Sequence, residues 1–248
     1  MPYHRLSTSK IAKIIGCHPN TVRMYEQWKL LPAIPRSGNG YRLYTQDHLD
    51  QMRLAWLALH TTFPGKIIRR SLTNLVKVAA TGDLGEALQL AYKNLVLVRS
   101  ELAQAEAAAD LVANWANGQP IEDTQQTYRI SEIARKLNVT CDMLRNWENN
   151  NLLTVPRDAH SRYRRYGQTE IARLRIIRML RTSGYSIMSI LRMLLQLDAG
   201  MKSDIRHTLD TPPEDEDIGY AADRWLTTLT EQENIAQQII DLLQQRLR

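Results

Sequence analysis

Thr21-Val22-Arg23-Met24-Tyr25-Glu26 and, 122 positions later, Met143-Leu144-Arg145-Asn146-Trp147-Glu148 decide how this chain folds. Apolar, cationic, aromatic and acidic residues come in the same order in both. The match extends outward: Ile11-Ala12 falls on Ile133-Ala134, Leu30-Leu31 on Leu152-Leu153, and Tyr41-Arg42-x-Tyr44 on Tyr163-Arg164-x-Tyr166. Pro35-Arg36 meets Pro156-Arg157 one residue out of step, so the second copy has the longer loop there. Chance does not preserve residue classes in this order over so many positions, and the chain is an internal duplication.

Each copy reads as one string of elements. An amphipathic helix, Ser9 to Ile15 or Ser131 to Leu137, leads into a tight turn. A second helix opens at Pro19, because proline lacks the N–H that a first helical position leaves unbonded. In copy two it opens behind Thr140, whose hydroxyl can cap the first turn. Two helices joined by so short a turn make a helix-turn-helix, whose second helix suits the major groove of DNA. Next comes Pro35-Arg36-Ser37-Gly38-Asn39-Gly40 between β-favouring residues, which reads as a hairpin wing. Two more helices follow in each copy, 46–60 with 65–80 and 168–182 with 187–198, the last capped by Ser186.

After the first module, Leu84, Leu88, Ala91, Leu95, Val98, Leu102, Ala105, Ala109 and Val112 alternate spacings of four and three, the rhythm of a coiled-coil seam. Ala222, Trp225, Leu229, Gln232, Ala236, Ile239 and Leu243 repeat that rhythm with one polar interruption. The expected organisation is therefore a winged module at 1–81, a long helix at 82–118 and a linker at 119–127. A second module at 128–199, a loop at 200–217 and a C-terminal coiled-coil helix at 218–248 complete it. The fold class is all-α with small β-hairpin wings. A helix over 84–117 is about 50 Å long, and the connector Gly118 to Thr127 can span about 30 Å. That reach favours an intrachain pseudo-dimer, in which the two long helices pair within one chain. A homodimer that exchanges them is the alternative.

Charge is distributed to match. Residues 1–80 hold twelve Lys or Arg against three acids, and residues 129–192 thirteen against five, within a net charge of +6. Two basic blocks in matching positions are the electrostatic footprint of nucleic acid. Cys17 and Cys141 make no disulfide framework, and no His/Cys cluster has metal-ligand spacing, so neither metal nor cofactor is expected. No apolar run approaches the length of a membrane span, and Met1-Pro2-Tyr3-His4-Arg5 lacks a leader's apolar stretch. The expected location is cytoplasmic and nucleoid-associated. No Gly-rich phosphate loop and no set of nucleophile, base and acid at motif spacing supports an enzyme.

On the second helices, Arg23 with Asn20, Thr21 and Gln27, and Arg145 with Asn146 and Asn149, are side chains that read base edges or grip phosphates. Tyr25 and Trp147 stand two residues after each Arg; each ring either packs in the core or offers its polar tip to a phosphate. In the wings, Tyr41, Arg42 and Tyr44, and Arg162, Tyr163, Arg164, Arg165 and Tyr166, interleave guanidinium forks with phenols. Arg36 and Arg157 sit at the wing entrances.

Thr21-Val22-Arg23-Met24-Tyr25-Glu26, Leu30-Leu31-Pro32, Pro35-x-x-Gly38 and Gly40-Tyr41-Arg42-Leu43-Tyr44 resemble the signature of the MerR family of bacterial transcription regulators. The second copy resembles it with losses: Thr154 replaces the proline after Leu-Leu, and Arg162 the glycine before the Tyr-Arg pair. The resemblance implies phosphate contacts at Arg23, Tyr25, Arg36, Tyr41 and Arg42, with counterparts Arg145, Trp147, Arg157, Tyr163 and Arg164. It also implies dimerisation through antiparallel long helices, and distortion of promoter DNA beside RNA polymerase. Because the recognition helices differ at nearly every exposed position, the operator should have two unlike half-sites. Two other readings stay open: an architectural or excisionase-like DNA-bending accessory, and a protein-interaction adaptor on the same fold. The wing cations argue against the adaptor. For an effector, Trp115, Tyr220 and Trp225 are candidate pocket residues with core packing as the alternative.

Overall fold

The computed structural model describes residues 6–61, 65–116, 126–200, 204–211 and 221–248. Its α-helices are α1 (Thr8–Ile15), α2 (Pro19–Gln27), α3 (Gln46–Leu59), α4 (Lys66–Ala80), α5 (Leu84–Ala116), α6 (Ile130–Lys136), α7 (Cys141–Asn149), α8 (Gln168–Thr182), α9 (Ile187–Asp198), α10 (Ile205–Asp210) and α11 (Trp225–Leu247). They fall into two compact units, Met1–Ser100 with Leu229–Arg248, and Glu101–Thr228. Each unit thus holds one helix-turn-helix module and a part of each long helix.

In the first unit, Ser7 caps α1 by accepting from the Lys10 N–H at 3.2 Å, and Gly16 ends it at φ 79°. Pro19 opens α2 as expected, behind His18, whose Nδ1 accepts from the Asn20 N–H. Ile11, Val22, Leu30, Met52, Leu72 and Leu75 form the core of α1 to α4. Inside that core lies fully buried Gln51. Its Nε2 donates to the carbonyls of Leu30 (3.1 Å) and Val76 (3.0 Å), and its Oε1 accepts from Arg246 at 3.0 Å. A buried amide with its donors and acceptor used is stable where an unsatisfied one would not be. Here it ties three segments to the last turn of α11. Burial lowers the Arg246 guanidinium pKa from its ordinary value, against the opposite pull of Asp50 and Asp47. Gln244 donates to the Tyr92 hydroxyl at 2.9 Å, and Arg99 to Glu233 at 2.7 Å. Residue numbers rise along α5 while they fall along α11, so the two helices run antiparallel within this unit.

The second unit repeats the module. Thr140 caps α7 and Ser186 caps α9, as their sequence positions require. Arg173 takes the place of Gln51 at the 122-residue offset and serves the equivalent carbonyl: its Nε donates to Leu152 O at 2.6 Å while its other nitrogens clasp Asp198. The Tyr185 hydroxyl donates to Ala105 O on α5 at 3.0 Å, and Arg206 forks onto Asp110 at 2.9 and 2.7 Å. Gly184, at φ 98°, leaves room for Trp225, whose Nε1 donates to Ser183 O at 2.7 Å. A Cβ at position 184 would overlap the indole.

Left-handed backbone positions also recur at the offset: Gly16 (79°) with Asn138 (49°), Lys29 (57°) with Asn151 (59°), and Gly40 (78°) with Arg162 (60°). The duplication is therefore conformational as well as compositional.

Three expectations change. The segment 200–217, read as a loop, contains α10. Asp204 caps it by accepting from Arg206 N and His207 N, and Ile205 and Leu209, one turn apart, are both buried. Six residues are too few to show a period in sequence. The wings hold no extended strands among the described residues, only single antiparallel bridges, Arg36 with Arg42 and Arg157 with Arg164. The stripe on α5 is wider than a seam: Ala87, Asn94 and Ala108 are buried alongside Ala91, Leu95, Val98, Ala105, Ala109 and Val112. This helix contacts more than one neighbour along its length. Trp225 is a core residue, whereas Tyr220, the Trp115 side chain, residues 119–125 of the linker and residues 212–217 of the expected loop lie outside the described residues. No described helix is long and apolar enough to cross a membrane.

Candidate nucleic-acid interface

Helices α2 and α7 present their polar faces as the sequence required. Asn20, Arg23 and Gln27 are exposed with Thr21 half-buried; on α7, Asp142, Arg145, Asn146 and Asn149 are exposed. Arg23 donates to Asn20 Oδ1 at 2.8 Å, which orders the guanidinium without neutralising it. Arg145 instead pairs with Asp142 at 2.6 Å, so its charge is partly cancelled on the exposed helix surface. Helices α2 and α7 differ in electrostatics as well as in side chains.

The loop after each second helix is fixed by one ion pair. Arg42 Nε donates to Glu26 Oε2 at 2.6 Å, and Arg164 Nε to Glu148 Oε2 at 2.6 Å. Both pairs are about three-quarters buried, so the Coulomb attraction is screened little. These arginines were expected to face a ligand; each also bolts its loop to the last turn of the recognition helix. Arg36 lies 4.0 Å from the same Glu26. Glu26 and Glu148 carry no ligand chemistry of their own, and sequence reasoning passed over them as phosphate-binding partners.

The loop tips diverge. Ser37 N–H bonds Tyr41 O in the first module, while Asp158 N–H bonds Tyr163 O across one residue more in the second, the extra residue that the sequence offset implied. The Asp158 carboxylate accepts from the backbone and hydroxyl of Ser161 and from the His160 N–H, which holds its pKa below the usual carboxylate range; Arg165 adds to this. Tyr41 and Tyr163 are 74% and 66% exposed, open to a ligand. Tyr44 and Tyr166, expected as surface phenols, are instead 1% exposed and belong to the core. The reason is alternation: each stands three residues after the exposed Tyr41 or Tyr163, so in extended chain it falls on the opposite face, and its backbone bridges to Leu6 or Tyr128. Burial pushes the Tyr166 phenol up to about 12, with Glu148 adding to the effect and Arg164 opposing it. Tyr25 and Trp147 are likewise core rings, at 4% and 3% exposure.

In the second module these parts enclose an open cleft of ≈ 650 Å³. Arg129, Arg145, Arg157, Arg162 and Arg164 line it, with Ser131, Ser161 and Tyr163 as neutral donors and no carboxylate. Arg129 also lies over the Tyr163 ring at 6.0 Å. Sequence reasoning did not single out Arg129; its place directly before α6, in a module whose wing is rich in arginine, was the available signal. Arg162 holds φ 60° where the first module has a glycine. A non-glycine residue costs about 1–2 kcal/mol in that conformation, so the cation is kept against backbone strain. Among the described residues no cluster of His, Cys, Asp or Glu could hold a metal ion.

Two helix-turn-helix modules, each with a loop braced to its recognition helix by a Glu–Arg pair, define a protein of the helix-turn-helix regulator class. The family model for the MerR HTH family of regulatory proteins matches residues 6–74 and again 128–197, more than half of the chain. The chain belongs to that family, with the module in tandem. Among curated proteins it is similar to the HTH-type transcriptional regulator CueR of Escherichia coli, 43% identical over 49 residues, 20% of this chain and 36% of the relative. The CueR of Salmonella typhi is 41% identical over 49 residues, with the same coverage. A ZntR homolog of Haemophilus influenzae is 38% identical over 42 residues, 17% of this chain and 31% of the relative. The chain thus spans about a third of the length of the curated relatives it matches. No solved structure matches it significantly.

Proposed function

We propose that this protein is a sequence-specific, double-stranded-DNA-binding transcription regulator that uses both modules on an operator of two unlike half-sites. The observation that carries this reading is the acid-free, arginine-lined cleft beside α7, with a braced loop of the same design beside α2. Phosphates would be gripped by Arg36, Arg42, Arg157, Arg162, Arg164 and Arg165 with Tyr41 and Tyr163. Bases would be read by Asn20, Thr21 and Arg23 on one helix and Arg145 and Asn146 on the other. Tyr25, Tyr44, Trp147 and Tyr166 would act from behind, by setting the positions of those groups. Asymmetry is supported by the Asp142–Arg145 ion pair, whose equivalent on α2 is the neutral Asn20–Arg23 hydrogen bond.

An intrachain pseudo-dimer is supported by the first unit, where α11, which follows the second module in sequence, supplies Arg246 to Gln51 of the first. In a homodimer of single-module chains that contact would come from the partner. Promoter distortion, with RNA polymerase as a neighbour, follows the family resemblance and would act through DNA deformation. The setting is cytoplasmic, and no catalytic role is assigned to any residue.

Selection from random duplex DNA tests the core of the reading. It should return two dissimilar half-sites, and affinity should fall steeply with salt. A perfect palindrome, or no enrichment, would refute it. Sedimentation should show one chain per DNA duplex; an obligate two-chain species would refute the pseudo-dimer.

A further inference from the structure

Trp28 follows the last residue of α2, Trp56 on α3 stands one turn before His60 at its C-cap, and Arg69, Thr73 and Lys77 recur every fourth residue on α4. These three faces enclose an open cavity of ≈ 630 Å³ in the first unit. Tyr25 lies between the indoles, its ring 6.2 Å from Trp28 at 24° and 6.4 Å from Trp56 at 44°. Trp56 stacks on His60 at 3.5 Å and 14°. Among the described residues that line it, the formal charges are those of Arg69 and Lys77, with no carboxylate.

The second copy shows that the module folds without these groups. At the same offset Trp28 becomes Asn150, Trp56 becomes Arg178 and His60 becomes Thr182, while Thr73 and Lys77 become Leu195 and Ala199. The buried pairs Ile68 with Ile190 and Leu72 with Leu194 are kept. Trp28 remains 54% exposed, an indole that contributes little to the core it adjoins. The fold of the module therefore does not by itself require Trp28, Trp56 or His60.

We infer that this cavity binds a planar aromatic anion, an aromatic ring system carrying a carboxylate, sulfonate or phosphate. The ring would lie on the cavity side of Tyr25 against the half-exposed Trp28 indole, where offset ring pairs are favourable. The acid would face Lys77. The volume lies within the range of about 300–1,000 Å³ typical of small-molecule sites. Thr21 and Met24 of α2 also line the cavity, so an occupant touches the helix assigned to base reading.

The test uses the full chain and 2-naphthalenesulfonate, titrated by calorimetry, with 2-naphthylmethylammonium as the cation of equal ring size. One sulfonate should bind per chain and the ammonium should not. Trp28→Ala should weaken the sulfonate about fivefold to tenfold, the loss of a stacked ring, and Lys77→Gln about threefold, an exposed ion pair. Both side chains are exposed, so neither change empties the core; circular dichroism checks that the fold is kept. Absence of saturable sulfonate binding overturns the inference, as does equal binding of the two probes or affinity unmoved by both substitutions. If the variants instead lose affinity for duplex DNA while the chain takes up no sulfonate, the cavity belongs to the DNA surface and the inference falls.

Discussion

Replacing Arg162 by glycine should stabilise the second unit while weakening its hold on DNA. Arg162 sits at φ 60° in the place where the first module has Gly40 at 78°. Relief of that conformation is worth about 1–2 kcal/mol. Glycine's extra freedom in the unfolded chain takes back about 0.4–1 kcal/mol. The net gain is about 0.5–1 kcal/mol, a rise in Tm of about 1–4 °C for a chain of this size. The same change removes one of five guanidinium groups lining the cleft. If that group neutralises one phosphate, the slope of log affinity against log salt should fall by about 0.9. Calorimetric unfolding and a salt titration of operator binding measure the two halves separately. Arg162→Asn is the control, because asparagine tolerates the left-handed region without the charge. It should lose the same salt slope and keep the wild-type Tm or better. A lowered Tm in the glycine variant would refute the strain argument, and an unchanged salt slope the phosphate role.

The other expectations concern the braces and the core. Glu26→Gln and Glu148→Gln remove negative charge beside the interface, so simple electrostatics predicts tighter DNA binding. The 2.6 Å ion pairs predict the reverse, since each lost brace costs about 1–2 kcal/mol and frees its loop; filter binding gives the sign. Gly184→Ala should destabilise the second unit by about 2–4 kcal/mol, through strain at φ 98° and displacement of Trp225 from its bond to Ser183; denaturant unfolding reads this, and a loss under 1 kcal/mol would refute the overlap. The Tyr166 phenol, pushed up to about 12, keeps its proton more firmly in the folded chain than its ordinary value of 10.0 would allow. Its contribution is therefore fully present below pH 10 and is lost as pH rises toward 12, so Tyr166→Phe should flatten that part of an alkaline unfolding curve.

Much of the fold was legible because it rests on local rules. Pro19, Thr140 and Ser186 mark helix starts by the chemistry of their own backbone and side chains, and the duplication can be read from residue classes alone. The polar faces of α2 and α7 follow from the periodicity of one helix. What tertiary structure decided are pairings between residues far apart in sequence. Nothing local says that Arg42 and Arg164 are held by glutamates on the preceding helix, because an ion pair leaves no period in the chain. Likewise Tyr44 and Tyr166 read as wing phenols, and only the tertiary structure shows their backbones bridged to Leu6 and Tyr128 with the rings in the core. The six-residue α10 was invisible because a single turn of amphipathic pattern does not rise above composition. The aromatic cavity of the first module depends on three helices meeting, and sequence shows only scattered tryptophans. Sequence determined that two copies of one module exist and which surfaces are cationic; only packing decided which of those cations are tied down, which are open, and where the copies cease to be equivalent.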